Sequence, residues 1–275
     1  MNGFLIVNPR SGDGGLSSAE LARRARDRGI GVHVLAEGDD LAALARSAQA
    51  DVIGMAGGDG SLAVVAEAAS ELGSRFVCVP FGTRNHFARD LGLDRDDPVG
   101  ALAAFDEGRE VRVDLVRVNG RAFLNNASLG LYADLVDHRE RRRRRGAALA
   151  RLRALARLAQ HRRPLPLVLD GRPVNAYVLM IGNNAYSLAA LELGTRPRLD
   201  EGLLHVYLAG ALVTGGWSEL PPRPELLVES HAGSLTVALD GEPARLASPL
   251  RFAVAPGALR VLVPGSARAP DDTRP

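Results

Sequence analysis

Apolar runs and amphipathic segments alternate along the first hundred residues. Four apolar runs have the length of a strand: residues 3–8, 31–35, 51–56 and 76–79. Apolar residues recur with helical spacing in four segments: residues 17–28, 41–49, 61–72 and 99–107. Strands that alternate with helices of about ten residues predict an open parallel sheet with helices on both faces.

The pattern changes near residues 94–98 to short, strand-like segments. These are residues 110–118, 122–128, 165–170, 173–181, 203–209, 234–239 and 250–263, the last in two pieces. Tight hairpin turns are predicted by three dipeptides: Asn119-Gly120, Asp170-Gly171 and Asp240-Gly241. We therefore predict an α/β domain at residues 1–108, a mostly antiparallel, sandwich-like β domain at residues 109–264 and a disordered tail at residues 265–275.

The composition is typical of a globular protein with a sizeable core. Of the 275 residues, 46% are hydrophobic and 24% are charged. The single cysteine, Cys78, cannot form an intrachain disulfide, which favours a reducing compartment. The longest uncharged stretch is too polar to span a bilayer, and no basic region precedes the first apolar run. We therefore expect neither a transmembrane helix nor a signal peptide, and a cytoplasmic location.

All 34 basic residues are arginines, so a Walker A phosphate loop, which requires a lysine, is excluded. Residues 138–163 hold eleven arginines and one glutamate, although the net charge of the whole chain is only +2. Within residues 139–163, leucines and alanines share one helical face that arginines flank. Such a helix either lies on an anionic membrane surface or packs on its own domain. Nucleic-acid binding is not expected, because no aromatic residue is interleaved with the arginines.

A glycine-rich loop follows the first strand. Its residues are Asn8, Pro9, Arg10, Ser11 and Gly12, and more glycines lie just beyond. Backbone N–H groups in such a loop, next to a helix N-terminus, can bind phosphate without a lysine. The alternative is an ordinary strand-to-helix turn.

A second glycine loop lies between the third strand and its helix. It contains Gly57, Gly58, Asp59, Gly60 and Ser61. Three glycines are costly unless the backbone adopts positive φ or lies against a ligand. Asp59 could hold a magnesium–phosphate group or a ribose hydroxyl, or Asp59 or Ser61 could instead cap the helix.

The fourth strand leads into a third candidate segment. Gly82 and Thr83 offer N–H and hydroxyl donors, and either Arg84 or Arg89 could neutralise phosphate charge. We interpret His86 as a packing or hydrogen-bonding residue rather than a catalyst, because no carboxylate pattern accompanies it.

Four segments in this order resemble the diacylglycerol kinase catalytic family of bacterial lipid kinases, which is related to sphingosine kinases and more distantly to NAD kinases. They are NPRSG, AGGDGS, PFGTRNHFARDLGL and LDGE. The resemblance extends from about residue 3 to residue 263 and implies the two-domain fold predicted above, with the active site in the cleft between the domains. It also implies ATP as the phosphate donor.

The resemblance implies roles for individual residues. ATP would be bound by the first two glycine loops together with Thr83 and Asn85. Asp240 and Glu242, in a DGE turn, would form the region of the catalytic base.

The resemblance also implies a structural Mg²⁺ ion in the second domain. The stretch around Asp200, Glu201 and Leu203 resembles the family's DDGLL segment, where that ion binds. Glu201 stands where the family has aspartate, and Ser61 stands where threonine is commoner.

The preferred function is therefore ATP- and Mg²⁺-dependent phosphorylation of a membrane lipid hydroxyl, of diacylglycerol or a similar lipid. The alternatives are a kinase that acts on NAD or another soluble acceptor, and a catalytically silent lipid-binding protein of the same fold. The expected partners are the lipid substrate and an anionic membrane surface, contacted through residues 139–163 by a protein that is peripheral to the membrane. The sequence is compatible with a homodimer but does not specify the oligomeric state.

Overall fold

The computed structural model describes residues 2–12, 15–130, 164–189, 192–209 and 217–267. The predicted basic helix at residues 139–163 and the end of the predicted tail, residues 268–275, lie outside these ranges. No helix within the described ranges is both long and apolar enough to cross a membrane.

The chain divides into two compact units. The first comprises Met1–Leu115, Thr195–Gly202 and Ala255–Pro275, and the second comprises Val116–Gly194 and Leu203–Val254. Residues 109–264, predicted to form the second domain, include three parts that belong to the first unit. Contacts between residues far apart in sequence draw these parts into the first unit.

The first unit alternates strands and helices as predicted. Its elements are β1 (Gly3–Val7), α1 (Ser18–Asp27), β2 (Gly31–Val34), α2 (Leu41–Ser47), β3 (Val52–Gly57), α3 (Asp59–Leu72), β4 (Arg75–Pro80), α4 (His86–Asp90), α5 (Pro98–Ala101) and α6 (Ala104–Glu107). Two strands, β5 (Arg109–Val118) and β18 (Leu250–Val263), contribute to both units.

The sheet of this unit has the order β2-β1-β3-β4-β18, and these four pairings are parallel. Helix α1 begins after Ser17, whose hydroxyl accepts the Glu20 N–H at 3.1 Å. The apolar face of α1 packs on strand residues such as Leu5 and Val7 in one core. The predicted parallel sheet is therefore confirmed.

One predicted helix is different in the structure. Residues 99–107 form two single turns, α5 and α6, rather than one continuous helix. Phe105 from this segment packs over two glycines of the sheet, since a Cβ atom would lie 2.8 Å from its ring at Gly3 and 2.5 Å at Gly54. We attribute the interrupted helix to this packing, which helical periodicity does not reveal.

The second unit consists of strands. They are β6 (Arg121–Phe123), β7 (Asn126–Gly130), β8 (Leu165–Leu169), β9 (Arg172–Ala176), β10 (Val178–Asn183), β11 (Leu188–Ala189), β12 (Glu192–Leu193), β13 (Leu204–Ala209), β14 (Trp217–Arg223), β15 (Glu225–Glu229), β16 (Ser234–Leu239) and β17 (Glu242–Ala247).

Two layers of these strands enclose one core. The antiparallel sheet β14-β13-β10-β7-β16-β17 contributes residues such as Ile181 and Val237, and the antiparallel strands β18, β15, β8 and β9 contribute residues such as Val228 and Phe252. The rings of Phe123 and Phe252 meet edge to face, with centroids 6.3 Å apart. The predicted antiparallel sandwich is thus confirmed.

The three predicted hairpin turns are present. The turn residues have φ angles of 47° and 83° at Asn119-Gly120, 48° and 79° at Asp170-Gly171, and 48° and 85° at Asp240-Gly241. Both central residues therefore adopt the left-handed conformation that a two-residue hairpin needs.

Strand boundaries in the second half differ from the prediction. Residues 122–128 and 173–181 each form two strands rather than one, and residues 250–263 form one strand rather than two. The last strand passes through Gly257, whose φ is 57° and whose N–H donates to the Asp114 carboxylate at 2.8 Å. Five strands were not predicted. Prolines and charges interrupt the alternation in β14 and β17, β15 has only five residues, and β11 and β12 have two residues each.

Candidate active site

Three loops follow three neighbouring parallel strands of the first unit. Strands β1, β3 and β4 lie side by side, and residues 8–12, 57–61 and 82–85 continue from their carboxyl ends. Ligands of open α/β sheets bind at this edge. We call these three segments the loop cluster.

Asn8 joins the first two loops. Its side-chain amide donates to the Ser61 hydroxyl at 3.2 Å, and its backbone N–H donates to the Ala56 carbonyl at 2.9 Å. Its own Oδ1 and carbonyl accept the N–H groups of Arg10 and Ser11. The backbone donors of Arg10 and Ser11 are therefore used inside the loop, and Asn8 acts as a brace rather than an exposed donor.

Gly58 and Gly82 bring the second and third loops into contact. A Cβ atom at Gly82 would lie 2.7 Å from the Gly58 Cα. The Asn85 side chain fixes this turn, since its Oδ1 accepts the Gly82 N–H and its Nδ2 donates to the Gly82 carbonyl, both at 2.8 Å. Asn85 is buried and has a φ of 50°, so it shapes the loop from inside.

Several backbone donors of the cluster remain open. Among the described residues, the N–H groups of Gly58, Gly60 and Thr83 have no hydrogen-bond partner. Gly58 is the N-cap of the 14-residue helix α3 and supplies no side-chain cap. Open N–H groups at the positive end of a helix form a site suited to phosphate.

The Asp59 carboxylate accepts hydrogen bonds from the protein backbone. Its Oδ2 accepts the His86 N–H at 3.2 Å and its Oδ1 accepts the Phe87 N–H at 3.0 Å. The carboxylate is buried and caps α4, while its own helix α3 is capped by Gly58. The expectation that Asp59 or Ser61 caps α3 is therefore wrong.

The exposed part of the cluster consists of Pro9, Arg10, Gly12, Thr83 and Arg84. Gly12 lies against the ring of the buried Phe81, which a Cβ atom would approach to 3.3 Å. The structure thus brings together all twelve residues that the sequence analysis assigned to ATP. Some of them line the surface of the cluster and others brace it from within.

His86 begins helix α4 beside the cluster. Burial lowers the pKa of its imidazole, and the positive charges of Arg89 and Arg84 lower it further, although Asp59 and Asp90 act in the opposite direction. A neutral imidazole at neutral pH agrees with a packing and hydrogen-bonding role.

A buried ion cluster that was not predicted supports α4. Asp90 accepts from the Arg196 Nε at 2.8 Å and from the Arg89 Nε at 2.9 Å. The side chains of Arg196 and Asp90 are 0% and 1% exposed. Because Arg196 comes 106 residues after Asp90 in the chain, only the tertiary fold relates them.

In the second unit, Asp240 holds the loop that precedes β7. Its Oδ2 accepts the Leu124 N–H at 2.7 Å, and its Oδ1 accepts the N–H groups of Asn125 and Asn126 at 2.7 and 3.1 Å. Charge-assisted hydrogen bonds of this kind favour the ionised carboxylate. Glu242, two residues on, is exposed.

The other two hairpin turns use their first residue in the same way. The Asp170 Oδ1 accepts the Leu227 N–H at 2.9 Å, and the Asn119 Oδ1 accepts the Arg251 N–H at 2.8 Å. In each of these turns, the side chain of the first residue therefore holds a neighbouring strand by a hydrogen bond. Asp240 has a similar structural role.

The Mg²⁺ site predicted at Asp200, Glu201 and Leu203 stays a prediction, and the structure shows contacts of two of these residues. The Asp200 carboxylate pairs with Arg198 at 3.0 Å. Leu203 belongs to the second unit, where its carbonyl accepts the Asn184 N–H at 3.1 Å. The described residues include no group of three or more His, Cys, Asp or Glu side chains that could hold a metal.

Asp114 fixes the segment that includes Asp200 and Glu201. This fully buried carboxylate accepts the Gly202 N–H at 2.6 Å and the Gly257 N–H at 2.8 Å, while the Asp114 N–H donates to the Leu199 carbonyl. The segment is therefore ordered by the protein's own hydrogen bonds.

Comparisons with known proteins bear on these sites. Residues 2–118 match the family model described as "Diacylglycerol kinase catalytic domain". A "Probable lipid kinase YegS-like" from Pseudomonas aeruginosa is 33% identical over 289 aligned residues, which cover 95% of this chain and 93% of that protein. The "Diacylglycerol kinase" of Bacillus subtilis is 37% identical over 87 residues, 31% of this chain and 29% of that protein.

The fold has a solved counterpart. The crystal structure of a diacylglycerol kinase from Bacillus anthracis superposes with a TM-score of 0.70 at 19% identity, covering 97% of this chain and 98% of that one.

Proposed function

This chain belongs to the diacylglycerol kinase catalytic-domain family, and from that premise we propose that it transfers the γ-phosphate of ATP to a hydroxyl group of a membrane lipid. The acceptor is diacylglycerol or a lipid of similar structure. The donor substrate is the Mg²⁺ complex of ATP. The chain is thus a member of a lipid kinase family. We propose the use of ATP, the lipid acceptor and the roles of the individual site residues.

The environment of Gly58 carries this proposal. Its φ of −82° and ψ of 170° are accessible to any residue, and no atom lies within 4 Å of the position that a Cβ would occupy. Neither the backbone angles nor the packing therefore requires glycine here, and serine, aspartate or asparagine would cap α3 better. A ligand that lies against the backbone accounts for the glycine.

The loop cluster would bind the triphosphate. Phosphoryl transfer requires positioning and charge stabilisation more than covalent chemistry from the protein. The open N–H groups of Gly58, Gly60 and Thr83 would donate to phosphate oxygens, and Arg10 would supply positive charge. Asn8 and Asn85 would keep the loops in shape.

Glu242 would accept the proton of the lipid hydroxyl. The Glu242 side chain is exposed to solvent, whereas both Asp240 oxygens accept backbone N–H groups. Asp240 would therefore act mainly by holding the turn and the loop before β7, and by its negative charge. The family resemblance assigns the region of the catalytic base to both acids together. We assign the proton acceptor to Glu242 and the structural role to Asp240.

The lipid acceptor requires access to a membrane. Residues 139–163 would provide it by electrostatic attraction to anionic lipids. The protein would then be cytoplasmic and peripheral to the membrane. Replacing Arg141–Arg145 with glutamine should lower activity on anionic vesicles more than activity on a short-chain soluble lipid.

The test is incubation of the full chain with γ-labelled ATP, Mg²⁺ and a panel of acceptors: diacylglycerols, sphingoid bases, polyprenols and NAD. We expect label in a lipid, with diacylglycerol among the best acceptors, and loss of that label for Glu242→Gln. Label in NAD without lipid would support a soluble-substrate kinase. No label in any acceptor, with lipid binding intact, would indicate a catalytically silent protein.

A further inference from the structure

In a chain without lysine, arginine is the side chain that can place a permanent positive charge beside a triphosphate. The third segment contains two candidates, Arg84 and Arg89. Their surroundings distinguish them.

Arg89 is part of the internal ion cluster. Its guanidinium contacts Asp90 through Nε at 2.9 Å and through Nη2 at 2.8 Å, and its side chain is only a quarter exposed. Asp90 also pairs with Arg196, which is completely buried. Arg89 therefore supports α4, and its guanidinium is engaged with a carboxylate inside the protein.

Arg84 is in a different situation. It is exposed, and among the described parts of the chain its side chain forms no ion pair or hydrogen bond. Its backbone is well fixed, because Asn85 locks the turn to Gly82 and the Arg84 carbonyl accepts from the Arg95 Nη1 at 3.3 Å. A free guanidinium thus sits on a rigid backbone.

Arg84 is also close to the open donors of the loop cluster. It directly follows Thr83, whose N–H is unpaired, and lies two residues from Gly82, which touches Gly58. Its charge also acts on the start of α4: burial lowers the pKa of His86, and Arg84 adds to this decrease against the opposing effect of Asp59.

We propose that Arg84 is a phosphate-binding residue that, together with Arg10, gives this lysine-free site its preference for a nucleoside triphosphate. The inference rests on the proposed function, because it assumes that the loop cluster binds ATP. In this proposal Arg89 stabilises helix α4, and Arg84 binds the phosphate groups of the ligand.

The test compares the affinities of the full chain for ATP and for adenosine, which has no phosphate. Arg84→Ala should weaken ATP binding about tenfold, the equivalent of one charge-assisted hydrogen bond, and leave adenosine binding unchanged. Arg84→Lys should restore part of the loss, because it returns the charge without the planar guanidinium. Arg26→Ala, which removes an exposed arginine on α1, is the control and should change neither affinity.

The outcomes separate the two claims. Wild-type protein that prefers ATP, with Arg84→Ala retaining the full preference, would overturn the assignment of Arg84 and leave the proposed function standing. Wild-type protein that shows no preference for ATP over adenosine would overturn both. Equal loss of ATP and adenosine binding in Arg84→Ala would indicate a structural role and would also contradict the proposal.

Discussion

Gly82 lies so close to Gly58 that a Cβ atom on Gly82 would come within 2.7 Å of the Gly58 Cα. The backbones of the two loops therefore lie in direct contact. This contact joins the segments after β3 and β4 into one surface.

Gly82→Ala should push the two loops apart. Overpacking of this kind costs about 1–3 kcal/mol, and we expect a similar loss in the free energy of unfolding together with weaker ATP binding. Urea unfolding and ATP titration measure the two effects. Unchanged values of both would show that the loops are not in contact.

Asp59→Asn should destabilise the first unit. Each Asp59 oxygen accepts a different backbone N–H, so the amide NH₂ of asparagine must face a donor. One unsatisfied buried donor costs about 1–3 kcal/mol.

Asp40→Asn is the matched control for this substitution, because one Asp40 oxygen accepts both N–H groups at the start of α2 and asparagine can do the same. Urea unfolding of the two variants compares them. Equal stability of Asp59→Asn and wild type would mean that Asp59 does not cap α4.

His86 should make stability depend on pH. Burial lowers the pKa of its imidazole in the folded protein below the usual 6.5. The positive charges of Arg89 and Arg84 lower it further, while the negative charges of Asp59 and Asp90 raise it. The unfolded chain therefore binds more protons than the folded chain below about pH 6.5. The free energy of unfolding should therefore fall as the pH decreases from about 6.5 towards the folded-state pKa. Above that range, the stabilisation that comes from the neutral His86 is fully present.

His86→Gln should remove this component. Urea unfolding between about pH 5 and pH 8 would show it as a smaller decrease in stability for the variant than for wild type. Identical pH profiles would indicate an imidazole with an ordinary pKa.

Local patterns were enough to predict the loop cluster and the hairpin turns. Asn-Gly and Asp-Gly pairs specify a two-residue turn by themselves, and a strand followed by glycines and a helix places a loop at the sheet edge. What these residues do could not be predicted in the same way. Asp240 accepts a hydrogen bond from Leu124, which is 116 residues away in the chain. Arg196 donates to Asp90, which is 106 residues away, so both hydrogen bonds depend on the complete fold.

The strand boundaries show the same limit. Pro256 and Gly257 predict a break, yet β18 continues, because the Gly257 N–H pairs with Asp114 143 residues earlier in the chain. The Mg²⁺ site expected around Asp200 and Glu201 came from resemblance alone and stays a prediction, and the hydrogen bond from Gly202 to Asp114 that orders this segment could not be predicted from sequence.

Glu242→Gln and Asp240→Asn should differ in their effects. Glu242→Gln should lower the rate of phosphate transfer about 100-fold or more with little change in stability, since it removes a proton acceptor from an exposed position. Asp240→Asn should reduce both stability and transfer, because it faces three backbone donors.

Asp170→Asn is the control for the second variant. Asp170 occupies the same position in an equivalent hairpin turn, so its replacement should reduce stability and leave transfer by the folded protein intact. Near-normal turnover of Glu242→Gln would show that this residue is not the base.

The most direct test of the nucleotide site is the ATP affinity of Gly58→Ala, measured alongside its stability. No atom lies within 4 Å of the new methyl group, so the fold should tolerate Gly58→Ala at a cost of about 1 kcal/mol for the poorer N-cap, and Gly233→Ala, where the space is equally open, is the control. We predict at least a tenfold weaker affinity for ATP in Gly58→Ala and an unchanged affinity in Gly233→Ala. Wild-type ATP affinity in a stable Gly58→Ala protein would contradict the assignment of the loop cluster to the triphosphate.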